Sequence, residues 1–199
     1  MSIPIIDDPL LIFDEWLKEA QNHQKIKQAN AVNLATATRD GVPSNRMVLL
    51  KGYSKEGFVF YTNLESKKGS ELKENPKAAL CFYWEAIDKQ VRIEGNVEMV
   101  ANKEADTYFD SRPLKSRIGA WISKQSQPME SGVDLLKNAL NYSIKMKMKK
   151  VIRPPFWSGF KVIPKRIEFW QDKNSRLHDR VLFSKSVSES IWQTQRLYP

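Results

Sequence analysis

The chain has 199 residues, and its 32 lysines and arginines outnumber 23 acidic side chains, giving a net charge of +9. The excess is uneven, with 13 basic and 14 acidic residues over 1–100 but 19 and 9 over 101–199, and a basic half implies an anionic partner: nucleic acid, a membrane surface or a phosphorylated small molecule. A hydrophobic fraction of 41% excludes wholesale disorder, no apolar run approaches the roughly 18 residues that span a bilayer, residues 1–8 lack signal-peptide character, and the single Cys81 permits no internal disulfide, so a cytoplasmic protein is expected.

Asp8 before Pro9 reads as a helix cap with proline at the first helical position. Leu10, Phe13, Trp16, Leu17 and Ala20 follow at helical spacing, so the first helix is predicted over about 9–24. Strand patterns come next, over 31–38, 45–53 and 58–62, with turns at Asp40-Gly41 and at 54–57. Ser66 is placed to cap a short helix that ends near Asn75-Pro76. A hairpin is expected over 77–84 and 90–100, then helices over 103–110 and 133–148, the latter closing on the lysine run 145–150 that suits a helix C-terminus. Strands resume at about 158–163, 166–171, 176–183 and 191–197. The pattern predicts one domain over 1–199, mainly β: an antiparallel barrel with strands over 31–100 and 158–197, decorated by helices and carrying a helical insertion over 102–150.

Several standard sites are absent. The chain has no GxxxxGK[ST] loop, no GxGxxG turn and no GxSxG elbow, and His23, His178 and Cys81 are too scattered for a zinc signature. Five segments carry polar chemistry. On a strand through 176–180, Arg176, His178 and Arg180 share one face, with Leu177 on the other and Glu168 and Trp170 on the preceding strand. In the segment 46–51, strand parity sends Arg46 and Lys51 to opposite faces, unless a bulge or chain end re-aims one of them. Tyr61, Thr62, Lys67 and Lys68 lie where a strand enters a helix, and free N–H groups at a helix start suit phosphate. Tyr108, Arg112 and Ser116 flank a helix end, and Arg matches a phosphate bidentately. The fifth segment is the polar loop of Lys124, Gln125 and Ser126. By spacing alone, solvated surface cations are the favoured explanation of the second and third segments.

Taken in order, these segments resemble the pyridoxine/pyridoxamine 5′-phosphate oxidase family. Its signature E-F-W-Q-x4-R-L-H-D-R stands here at 168–180, and RMVLLK (46–51), FYTNLESKK (60–68), YFDSRP (108–113), IGAWISKQS (118–126) and RLYP (196–199) agree in sequence order. The resemblance spans nearly the whole chain. It implies an FMN-binding split barrel and a homodimer with FMN sites between subunits. It also implies oxidation of pyridoxine 5′-phosphate and pyridoxamine 5′-phosphate to pyridoxal 5′-phosphate by FMN and O2, releasing H2O2, and NH3 from the amine.

The same resemblance implies residue roles. Arg46, Lys67, Lys68, Gln125 and Ser126 would hold FMN through its phosphate and ribityl chain. The backbone of Met47, Val48, Leu49, Leu50 and Lys51, with Tyr61, Thr62, Gln90, Trp170 and Arg180, would contact the rest of FMN. Lys51, Tyr108, Arg112 and Ser116 would take the substrate phosphate, and Arg176, Leu177 and His178 would border its ring. Arg176 and His178 are the expected catalytic pair, with His178 orienting substrate rather than acting as an obligatory base. Two departures stand out: Gln28 occupies a position where an acidic residue followed by proline is expected, and Lys67 replaces a common Arg, losing its bidentate fork. No metal is implied. A different split-barrel flavoprotein is the alternative; a nucleic-acid module has only net charge and the lysine run behind it, and no recognition motif.

Overall fold

Asp8 Oδ1 accepts the Leu10 N–H at 3.0 Å and Pro9 takes the first helical position, so helix α1 (Pro9–Asn22) starts where the sequence places it. The computed structural model describes residues 2–129, 131–132, 137–138, 140–142, 150–185 and 191–199. The apolar stripe of α1 is buried, and Phe13 meets Tyr53, Phe58 and Phe82 edge-on with ring centroids 4.9, 5.1 and 5.3 Å away. Trp16 does the same to Phe169 at 5.3 Å. Burying side chains of this size contributes about 1.5–3 kcal/mol each, so α1 is held to the barrel by packing rather than by helix propensity.

The strands are β1 (Ala31–Ala37), β2 (Pro43–Leu49), β3 (Gly52–Ser54), β4 (Gly57–Asn63), β5 (Lys77–Trp84), β6 (Lys89–Met99), β7 (Trp157–Gln171), β8 (Asp179–Ser184) and β9 (Gln193–Arg196). They form one antiparallel sheet in the order β2-β1-β5-β6-β7-β4-β3. On its second edge β7 is shared: residues 157–162 pair with β4, and residues 166–171 pair with β8, which in turn pairs with β9. This fork opens the barrel. Alternating burial along β1 points Val32, Leu34 and Thr36 inward.

The expected strand over 45–53 is two strands, and the reason is a change of partner. The Leu50 N–H bonds to Asn30 O at 2.8 Å, on the β1 side, whereas the Lys51 N–H bonds to Val59 O at 2.8 Å, on the β4 side. Conversely, the strands expected over 158–163 and 166–171 are one strand with a bulge. The register steps from Gly95↔Pro164 to Glu94↔Arg166, leaving Lys165 as the extra residue. The strand expected from 176 begins only at Asp179, because Ser175 and Arg176 both have φ of 60° and cannot extend a ladder.

Helices α2 (Lys67–Glu74), α3 (Asn102–Ser111) and α4 (Leu114–Ile122) complete the described elements. Ser66 caps α2 as expected, and α3 matches its expected span. Helix α4 falls inside the expected insertion, between the two helices that the sequence pattern predicts there. The helix expected over 133–148, with most of its lysine run, lies largely outside the described residues. Phe109, Ile118, Val151 and Trp157 form a second apolar cluster that seats α3 and α4 on β7. Among the described residues no helix is long and apolar enough to cross a membrane.

Candidate active site

A cleft of about 1060 Å³ opens between β2, the β4–α2 junction and the α3–α4 pair. It gathers Arg46, Met47, Val48, Leu49, Lys51, Tyr61, Thr62, Lys67, Lys68, Tyr108, Arg112, Ser116, Gln125 and Ser126 from five elements and the loops beside them. The parity conflict between Arg46 and Lys51 is resolved by the break after Leu50: both line the cleft, while the Leu50 side chain joins the core.

At the β4–α2 junction, tight packing builds a cationic cradle. A Cβ on Gly69 would stand 2.5 Å from Leu64 O, so only glycine lets α2 approach its own cap this closely. That approach buries Lys68, whose Nζ donates to Gln125 Oε1 at 3.0 Å, Ser66 Oγ at 3.2 Å and Thr62 Oγ1 at 3.3 Å. Burial, with the nearby Arg46 charge, lowers the Lys68 pKa to about 8. Arg46 is oriented from below. It donates to Thr36 Oγ1 and, at 2.6 Å, to Ser44 Oγ, and its Nη2 lies 3.3 Å from Glu71 Oε2. Burial pushes the Glu71 carboxyl up, but donors from Ser44, Thr36 and Arg46 outweigh it and hold the pKa below the usual range. Lys67 Nζ, 3.9 Å from Glu71 Oε1, remains largely exposed. Gln125 and Ser126 follow α4, with Ser126 in the left-handed region at φ of 70°.

The α3–α4 side carries an aromatic stack. Tyr61 and Tyr108 lie 3.9 Å apart at 16°, and Tyr61 and Trp157 lie 5.3 Å apart at 10°. The Arg112 guanidinium sits 4.7 Å over the Trp157 ring, and its Nη1 is buried with no hydrogen-bond partner among the described residues. Burial lowers the Arg112 pKa, yet a guanidinium stays charged. A buried donor left unpaired costs free energy, so this atom is suited to an anion entering the cleft. Gly159 keeps the stack close, because a Cβ there would meet the Tyr61 ring at 2.7 Å.

The remaining expected site residues lie elsewhere on the chain. Gln90 and Trp170 are paired across β6 and β7. Arg180, on β8, donates to one oxygen of the buried Glu168, Oε1, from Nε at 3.0 Å and from Nη2 at 2.7 Å, and its Nη1 donates to Tyr198 O at 2.9 Å. Arg176 and His178 line a separate recess with Asp88, Asp172 and Lys173. The shared strand face expected for Arg176, His178 and Arg180 is therefore corrected: Arg176 lies in the turn Asn174–Arg176, Leu177 is 71% exposed, and only Arg180 belongs to a strand. Within one chain the expected residues form two groups, the cleft and the β7–β8 end.

The reading of the sequence missed the Thr36–Ser44–Glu71 support beneath Arg46, the Trp157 platform and Asp172, whose carboxylate Oδ1 lies 2.6 Å from His178 Nδ1. Glu71 had a readable signal, since it stands four residues after Lys67 on a helix.

The fold is that of FMN-binding split-barrel proteins. Residues 18–142 match the pyridoxamine 5′-phosphate oxidase family model, and residues 157–199 match the pyridoxine 5′-phosphate oxidase C-terminal dimerisation region. The chain belongs to the pyridoxamine 5′-phosphate oxidase family. It is 50% identical over 193 residues to the pyridoxine/pyridoxamine 5′-phosphate oxidase of Sinorhizobium fredii, covering 97% of this chain and 93% of that one. It is 51% identical over 192 residues to the protein of the same name from Brucella canis, covering 96% and 94%. Among solved structures, PhzG from Burkholderia lata in complex with tetrahydrophenazine-1-carboxylic acid superposes with a TM-score of 0.89 at 26% identity, over the full length of both chains. An FMN-binding protein from Nostoc punctiforme superposes at 0.75 with 15% identity over both full lengths, a likeness of fold alone.

Proposed function

We propose that the protein oxidises pyridoxine 5′-phosphate and pyridoxamine 5′-phosphate to pyridoxal 5′-phosphate with FMN and O2, releasing H2O2, and NH3 from the amine. The observation that carries this reading is the unpaired, buried Arg112 Nη1 in a cleft that also holds the Lys68–Arg46 cradle. Two cationic groups built on different elements suit two phosphorylated ligands in one cleft. Relatives that bear the oxidase name and match nearly the whole chain support the same reading.

The residues fit FMN on the chemistry of the donor set: a buried ammonium, a supported guanidinium and amide and hydroxyl groups around them. Arg46, Lys67, Lys68, Gln125 and Ser126 would hold its phosphate and ribityl chain, and Thr62 and the residue 46–51 backbone its remaining polar edge. Bound FMN supplies the two-electron acceptor and O2 the turnover. Lys51, Tyr108, Arg112 and Ser116 would clamp the substrate phosphate, and a clamped phosphate fixes where the pyridine ring lies. Arg176 and His178 would face that ring, and Gln90, Trp170 and Arg180 would border the FMN site. Because these five residues lie outside the cleft of their own chain, the reading assigns them to the cleft of a second subunit in a homodimer, in keeping with the matched dimerisation region.

A second reading has one observation in its favour: the PhzG structure, similar over its full length, carries a phenazine-type ligand rather than a B6 phosphate. An assay separates the two. Purified protein given FMN, O2 and either B6 phosphate is expected to form pyridoxal 5′-phosphate and H2O2, and Arg112→Ala is expected to raise the substrate KM more than tenfold while sparing FMN content. Full FMN loading without turnover of either B6 phosphate sinks the oxidase reading.

A further inference from the structure

We infer that Asp172 is a positioning residue that fixes the tautomer and orientation of His178, leaving Nε2 as the imidazole's ligand-facing atom. The inference deepens the proposed oxidase reading and rests on it for the role of His178.

The geometry is local and specific. Asp172 follows the last residue of β7, and its N–H bonds to Asp88 O at 2.9 Å, which anchors the backbone. The chain then turns back through Asn174–Arg176, with Ser175 and Arg176 both at φ of 60°, and returns His178 to the same place one residue before β8. There Asp172 Oδ1 lies 2.6 Å from His178 Nδ1. A carboxylate oxygen at that distance requires the proton on Nδ1. The Lys173 N–H, 3.4 Å from the same nitrogen, is then a secondary contact, because Nδ1 cannot donate and accept at once. The Trp170 ring packs against the imidazole, with centroids 4.9 Å apart and planes inclined at 45°.

The Nδ1 edge of the ring is therefore occupied and Trp170 packs beside it, and among the described residues Nε2 remains. In the neutral imidazole Nε2 is an acceptor, and it becomes a donor only on protonation. Among the described residues, the charged groups that line the same recess are Asp172 and Lys173 from the turn, Arg176 beside them, and Asp88 from the loop before β6. Side-chain exposures of 24% for His178 and 47% for Asp172 place the pair where an ion pair adds little to stability. Orientation, not stability, is what the contact supplies, as an outer carboxylate does for a histidine ligand.

The test needs no assay for its first reading. His178 is one of only two histidines, so a His178→Asn variant assigns its ring signals in 15N NMR spectra of the FMN-loaded protein. Expected are a pyrrole-type Nδ1 and a pyridine-type Nε2 at a pH where the ring is neutral. Asp172→Ala should release this pattern and lower kcat/KM for the B6 phosphates by roughly tenfold, with FMN affinity unchanged. An Nε2–H tautomer in the wild type, or an Asp172→Ala variant that changes neither tautomer nor kcat/KM, overturns the inference. A wild type with the Nδ1–H tautomer but no turnover of B6 phosphates supports the pairing and refutes the oxidase reading instead.

Discussion

Burial under the α2 cap, with the charge of Arg46 beside it, holds the Lys68 ammonium at a pKa of about 8 rather than its ordinary 10.5. In the ligand-free fold the sign is unusual for a lysine. Between about pH 8 and 10.5 the unfolded chain binds more protons at this site, so stability gains as pH rises through that window, and the full cost of the buried charge is present below it. A phosphate dianion reverses the preference, because it favours the protonated form. Binding above pH 8 must then take up a proton. FMN affinity is expected to be flat with respect to this group below about pH 7. Above pH 8 it should weaken by up to about tenfold per pH unit. Titration of FMN fluorescence across pH 6.5–9.5 (a range of about 3 units, chosen to bracket the shift) reads this directly, and Lys68→Met should bind weakly with the slope removed. An unchanged slope in that variant would assign the pH dependence to another group.

Elements decided which parts of the site could be read from sequence. Helix α2 was readable because Ser66 caps it and its polar pattern ends at Asn75-Pro76. Helix α4 was not, because its start is a Pro113 with no side-chain cap and its short span contains Gly119. Parity along an assumed continuous strand put Arg46 and Lys51 on opposite faces; the switch of hydrogen-bond partner between Leu50 and Lys51 is a tertiary event that no local pattern encodes. The left-handed Arg176 escaped for a similar reason, since its residue type does not favour positive φ and the alternation from 176 onward looks like a strand. Residues tied to a motif were found; those that merely support them, such as Thr36 under Arg46, were not. The α2 element also yields a prediction. Gly69→Ala places a Cβ 2.5 Å from Leu64 O, a backbone atom that cannot swing aside. The helix start must shift, and Lys68 moves with it. A loss of about 1–3 kcal/mol in denaturant unfolding is expected, together with weaker FMN binding. Wild-type affinity in this variant would show that the cradle tolerates displacement of its helix.

At the scale of the molecule, the division of the expected site into two groups is the feature with the largest consequence. The cleft holds Arg46, Lys68 and Arg112, whereas Arg176 and His178 border a recess at the far end of β7. The β7–β8–β9 region that carries the second group is the part matched to a dimerisation region. It is also tied to the start of the chain: the Ile3 N–H donates to Asp179 Oδ2 at 2.6 Å, Arg196 Nη1 lies 2.6 Å from Asp179 Oδ1, and Ile3 is buried. A rigid β8 that presents its preceding turn outward suits a group that acts on another chain. If each active site combines the cleft of one subunit with the β7–β8 end of the other, two variants impaired at low substrate concentration must complement. Arg112→Ala damages only the cleft, and Arg176→Ala only the turn. A hybrid dimer of the two has one site with both defects and one with neither. Random reassociation makes half of the dimers hybrids, each with one of two sites intact, so about a quarter of wild-type activity should return. Denaturing and refolding the variants together, then assaying against each refolded alone, measures it. Sites contained within single chains would leave the mixture as impaired as its parents.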